Sequence, residues 1–157
     1  MTTRVGRALP PDLLAALSQS DLPSRLDRAL PLVTLDPRGR PHPMLCSYLE
    51  VLATDATTLR LVIAAGSGSA RNLAERNAAT LILVEPERTV YVKCRASGEA
   101  RRIEKLERFV LSVEEVIEDA ADPSEGPVRI LTGITYGPVP RLDDPRVRVT
   151  LEALRGE

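Results

Sequence analysis

At 157 residues, with 21 Lys and Arg against 22 Asp and Glu and a net charge of −1, the chain has the length of one domain. It can bury a core without disulfides or metal, and it has no overall electrostatic pull toward nucleic acid or an anionic membrane. Cys46 and Cys94 lack the paired spacing of a zinc or redox motif, and no stretch approaches the ~20 apolar residues of a membrane span or carries a leader-like apolar core, so one cytoplasmic domain over residues 1–157 is expected.

Taken in chain order, Pro10 and Pro11 open DLLAALSQS, where Leu13, Leu14 and Leu17 share one helical face; residues 1–25 therefore read as a helical extension. Leu30, Leu32, Val33 and Leu35 mark a first strand, closed by the turn Asp36-Pro37-Arg38-Gly39. A second strand over residues 42–52 is apolar on both faces. A turn at residues 53–57 then leads into a third strand over 58–65. That strand breaks at Gly66-Ser67-Gly68-Ser69 and enters a short helix over 70–76. Such a junction leaves backbone N–H groups free beside Ser67, Ser69 and Arg71, which is an anion site in outline.

A fourth strand is expected over residues 79–85. A long fifth, over 89–103, carries Gly98 in its interior and predicts a bulge or bend. From residue 105 the period changes: Phe109, Val110, Val113, Val116, Ile117 and Ala120 fall on one helical face that ends before Asp122-Pro123. Residues 128–137 read as a sixth strand and 143–157 as a weakly helical tail. The expected fold is mainly β with peripheral α: a six-stranded antiparallel barrel, a short helix after its third strand and a longer one after its fifth.

The order of elements and the residues SGSARNLAERNAATLILV resemble the FMN-binding split barrel of the pyridoxamine 5′-phosphate oxidase superfamily. The resemblance runs from about residue 30 to 98, and more loosely to 136. Asp36, Gly39 and Pro41 match that family's D-x-x-G-x-P turn, and Ser67 to Leu73 match the frame of its phosphate-gripping S-R-K-x-R-N-L segment, with Gly68 and Ser69 where two basic ligands stand. The resemblance implies a homodimeric flavin (FMN)-binding redox protein, with the cofactor at the subunit interface and a small-molecule substrate. It puts the phosphate on Ser67, Ser69, Arg71 and Asn72. It puts the ring beside Met44, Leu45, Cys46 and Ser47 of the second strand and Ile63, Ala64 and Ala65 at the end of the third, with the opposite subunit as a second wall for which Tyr91, Lys93 and Tyr136 are candidates.

Each missing charge-assisted contact forfeits about 1.5–3 kcal/mol, which Arg71, the hydroxyls, the helix N–H groups or an arginine such as Arg60 or Arg95 would have to offset. The alternative is a non-catalytic split-barrel module that carries or senses a deazaflavin, haem or another small molecule. Oxidation of pyridoxamine 5′-phosphate itself is not expected, because residues 132–142 offer no match to that enzyme's substrate-phosphate residues.

Plainer readings stand beside these. Ser67 and Ser69 suit a helix cap in any protein, and His42, the single histidine, has no ligand-spaced neighbours and reads as a structural or rim residue. No metal site, serine elbow or Cys–His pair is present in the pattern. The basic run Arg101, Arg102, Lys105, Arg108 is offset by Glu99, Glu104 and Glu107, so no nucleic-acid surface is expected.

Overall fold

The computed structural model describes residues 1–127 and 129–156. Eight strands and three helices make up the regular structure: β1 Thr2–Gly6, α1 Pro11–Leu17, β2 Ala29–Leu35, β3 Pro41–Ser47, β4 Val51–Asp55, β5 Thr58–Ala64, α2 Gly68–Arg76, β6 Ala78–Glu85, β7 Arg88–Ile103, β8 Leu106–Ala120 and α3 Pro145–Arg155. All strand pairs are antiparallel, in the order β3-β2-β6-β7-β8-β5-β4, with β1 added along β8.

β3 and β4 end this path, so hydrogen bonds do not close the sheet into a barrel. A single buried cluster nevertheless gathers Leu32, Cys46, Ala53, Leu61, Leu81, Val92 and Leu111 from seven strands, and the sheet curls around this shared core. Alternation drives the curl: along β2 and β6 every second side chain is buried, as the strand period of two requires.

The β2–β3 hairpin forms at the predicted turn. The Asp36 carboxylate accepts from the N–H groups of Arg38 (2.8 Å) and Arg40 (2.9 Å), and Gly39 takes φ +75°. Those backbone donors hold the Asp36 carboxyl below its ordinary range. The bend expected at Gly98 is also present, with φ +72° and a register break between Ser97 and Arg101.

Other expectations need correction. The helix proposed from residue 105 is the strand β8. A bulge leaves Glu114 unpaired, since Lys93 faces Glu115 while Cys94 faces Val113. Phe109, Leu111 and Val113 therefore alternate inward, and the bulge resets the phase so that Val116 is buried next. That three-residue step between Val113 and Val116 imitates a helical period.

The strand expected over residues 42–52 is β3 and β4 joined by a turn. Glu50 accepts from the Ser47 N–H (2.6 Å) and hydroxyl (3.0 Å) and its own N–H returns to the Ser47 carbonyl (3.0 Å). The first 25 residues contain β1 as well as a helix; its side chains are mostly exposed, and it joins β8 through its backbone, leaving no apolar pattern to read.

The sixth strand expected over 128–137 is absent among the described residues, and its Val128 lies outside them. Residues beyond it follow the entry to β2, through Ala29 N–H to Ile134 O (2.9 Å), Tyr136 N–H to Asp27 O (3.0 Å) and one isolated bridge between Arg28 and Thr135. The strand count is thus eight rather than six, and α2 follows the fifth strand rather than the third. The tail is a definite helix over Pro145–Arg155, capped by Asp144; Glu157, its last expected residue, lies outside the described residues.

Helix α3 adds Val147 and Leu151 to the main core and packs its last turn against Val62 of β5. Val62 meets Ala153 and Leu154 there in a second buried cluster. Arg60 donates to the carbonyls of Leu154 (3.3 Å), Arg155 (3.1 Å) and Gly156 (2.9 Å), and Arg108 to those of Ala153 (3.1 Å) and Gly156, so two guanidinium groups close the negative end of the helix.

Candidate functional site around the start of α2

The junction between β5 and α2 has a local cause for each step. Ile63 is buried, Ala64 turns outward, and Gly66 takes φ +69°, a region that side-chain-bearing residues seldom enter. Ser67 then caps the helix: its hydroxyl accepts from the Ala70 N–H (3.1 Å) and its carbonyl from the Arg71 N–H (3.0 Å). Ala70 and Leu73 anchor α2 in the core, and Asn77, at φ +60°, ends it with its N–H on the Leu73 carbonyl.

The N–H groups of Gly68 and Ser69 have no partner among the described residues. Ser69 is 3% exposed, and its hydroxyl is also unpartnered there. Around them stand Arg71, whose guanidinium folds back to donate to the Gly66 carbonyl, and Glu107, which accepts from the Gly66 N–H at 3.3 Å. His42, at the start of β3, lies against Gly68. Asn72 points elsewhere: it is buried, its amide donates to the Thr34 hydroxyl (3.0 Å), and it ties α2 to β2.

At the far end of β3, Leu45 is 57% exposed and borders a cavity of about 330 Å³ with Ala29, Cys46, Ser47, Glu50, Ile134 and Tyr136. Burial raises the Glu50 carboxyl and the Tyr136 phenol above their ordinary ranges. From His42 to Ser47 the strand spans about 17 Å at ~3.3 Å per residue, so one extended ligand would reach from the helix start to this cavity.

The predicted site residues divide accordingly. Leu45, Ser47 and Ala64 face outward and Ala65 is half-buried. Met44 packs against the core, and Cys46 and Ile63 lie within it; the Cys46 thiol donates to the Leu30 carbonyl (3.2 Å), and burial pushes its pKa up. Ser67, Ser69 and Arg71 gather at the helix start. Two arginines expected as compensating donors are engaged elsewhere: Arg60 on α3, and Arg95 with Glu114 at 2.7 Å. Tyr91 and Lys93 lie on β7, which β2 and β6 separate from β3.

Sequence reasoning missed Glu50, Glu107 and Ile134 and read His42 only as a structural or rim residue. Only the tertiary fold brings them there. A separate cavity of about 230 Å³ lies beside Arg25, Arg28 and Tyr48, with Arg25 paired to Glu85 at 3.2 Å. Among the described residues, no group of three or more His, Cys, Asp and Glu is placed to hold a metal, and no helix is long and apolar enough to cross a membrane.

A curled antiparallel sheet with an open helix N-terminus beside an edge strand defines a class of small, mainly β proteins. Within that class, the family model described as pyridoxamine 5′-phosphate oxidase matches residues 25–136, and the chain belongs to this family. No curated protein matches the sequence.

Several solved structures share the fold at low identity. The conserved hypothetical protein Rv2991 from Mycobacterium tuberculosis is 14% identical with a TM-score of 0.56, over 87% of this chain and 97% of that one. PhzG from Burkholderia lata 383, solved with tetrahydrophenazine-1-carboxylic acid, is 16% identical with a TM-score of 0.54, over 74% and 82%. An FMN-binding protein from Syntrophomonas wolfei is 11% identical with a TM-score of 0.53, over 70% and 88%.

Proposed function

We propose that this protein is a single-domain, cytoplasmic split barrel that binds FMN and serves as a small redox protein. The observation that carries the reading is the open N-terminus of α2, where the Gly68 and Ser69 N–H groups have no partner among the described residues and Ser69 and Arg71 stand beside them near the start of β3. The phosphate would sit there, held by N–H groups aligned with the helix dipole. The ring would lie toward Leu45, Ser47 and Tyr136, with Ala64 and Ala65 leaving room beside the ribityl chain.

When bound, the flavin supplies the hydride or electron chemistry. The chain's own residues anchor the phosphate, present an apolar wall to the ring and restrict water around it. Glu50 is fixed through one carboxylate oxygen by Ser47, in a cavity that favours its protonated form.

A second copy of the chain fits the same reading. Leu45, Ile134, Tyr136, Val139 and Leu142 are all exposed around the ring end, and a homodimer with the cofactor between subunits would cover them. Sedimentation at micromolar concentration should give twice the monomer mass.

The flavin reading predicts that added FMN loses fluorescence on titration with the protein and that the complex is yellow after gel filtration. Unchanged FMN fluorescence at micromolar protein rejects it. The lack of a charged side chain at residues 68 and 69 favours one second reading, a non-catalytic carrier for a deazaflavin or haem. In that case the deazaflavin or haem spectrum would shift on addition of protein while FMN is left free.

A further inference from the structure

Some glycines of the chain have a conformational reason, and others, such as Gly133 beside Val84 and Gly156 beside Glu152, are hemmed in by neighbours. Gly39, Gly66 and Gly98 all have positive φ, and nothing lies within 4 Å of the place a Cβ would take. Gly68 differs: its φ falls outside the positive range, but a Cβ there would stand 3.2 Å from His42 Nε2 and 3.4 Å from Cε1. A side chain at residue 68 would crowd the exposed imidazole that β3 lays against the first turn of α2.

We propose that His42 is the basic contact for a phosphomonoester bound at the start of α2. The inference rests on the flavin-phosphate reading for the identity of the ligand. The site has components beyond the helix end: the Gly68 and Ser69 N–H groups are free, the Ser69 hydroxyl is unpartnered in a residue 3% exposed, and a ring nitrogen lies against the same turn.

A chain of hydrogen bonds fixes the spacing. Asn72 donates to the Thr34 hydroxyl (3.0 Å), which donates to the His42 carbonyl (3.4 Å), and Thr34 faces His42 across the β2–β3 ladder. Asn72 is thus a positioning residue, holding the helix at a set distance from the strand that carries the imidazole. Glu107 takes the Gly66 N–H on the other flank, so the anion's place lies toward His42 and away from that carboxylate. Arg71 remains at the mouth as a second, exposed cation.

The test compares FMN with riboflavin, which lacks the phosphate, on the wild type, His42→Gln and Gly68→Ala. Loss of the imidazole contact should weaken FMN binding roughly tenfold in either variant and leave riboflavin unchanged. FMN affinity equal to wild type in His42→Gln, or an equal loss for both flavins, overturns the proposal. If neither flavin binds the wild type, the flavin reading fails by itself, and inorganic phosphate then decides the contact. The single histidine gives one set of imidazole NMR signals, which phosphate should shift in the wild type; no shift at millimolar phosphate overturns the contact as well.

Discussion

The two longer helices present opposite ends to the same strand, β5, and treat them differently. At the C-terminus of α3, Arg60 and Arg108 saturate the terminal carbonyls, and Val62 and Leu154 seal the contact. At the N-terminus of α2, only Ser67 closes part of the turn; the Gly68 and Ser69 N–H groups have no partner among the described residues, and His42 lies against Gly68. One end is satisfied from within the chain, and the other is not. The contrast predicts that substitutions at α3 change stability and spare binding, whereas substitutions at the start of α2 also weaken binding.

Leu154→Ala should have the largest effect. Removing a fully buried side chain from the α3–β5 contact costs about 3 kcal/mol, a fall in Tm of roughly 6–12 °C by calorimetry, with flavin affinity of the folded protein unchanged. Arg108→Met should cost about 2 kcal/mol, because it removes a charged donor from the carbonyls of Ala153 and Gly156; urea denaturation reads it. Ser67→Ala should cost about 1 kcal/mol through the lost cap and should also weaken FMN, because the first turn of α2 frays. A Ser67 variant that binds FMN with full affinity would break the contrast between the two helix ends.

The smallest effect depends on pH. Burial raises the Glu50 carboxyl above its ordinary 4.5, so the folded chain holds this proton more tightly than the unfolded chain. The resulting stabilisation is complete below pH 4.5 and is lost as pH rises through the elevated folded value. Glu50→Gln keeps an acceptor for Ser47 and removes the titration. The difference in Tm between variant and wild type should therefore be flat at acid pH and move in the variant's favour as pH rises; a constant difference would place the carboxyl in water.

Parts of the fold that depend on local chemistry were legible in the sequence. Asp36 to Gly39 encode a turn, Gly66 to Ser69 encode a strand-to-helix junction, and Gly98 encodes a bulge, each within a few residues. β8 was not legible, because the unpaired Glu114 breaks a two-residue period into something that looks helical. β1 was missed because it contributes backbone and almost no buried side chain.

The site followed the same rule. Ser67, Ser69 and Arg71 could be placed at the helix start from their spacing, but the inward turn of Met44, Cys46 and Asn72 depends on which strand face meets the core. His42 and Gly68 lie 26 positions apart, and nothing in their neighbourhoods announces that they touch.

The most direct test of the open helix end is the amide spectrum of ¹⁵N-labelled protein during addition of FMN. The Gly68 and Ser69 amides should show the largest downfield shifts, with Leu45 and Tyr136 following and the residues of α3 unmoved. Shifts confined to the cavity beside Arg25 and Arg28, with Gly68 and Ser69 unchanged, would contradict the assignment of α2 as the phosphate anchor.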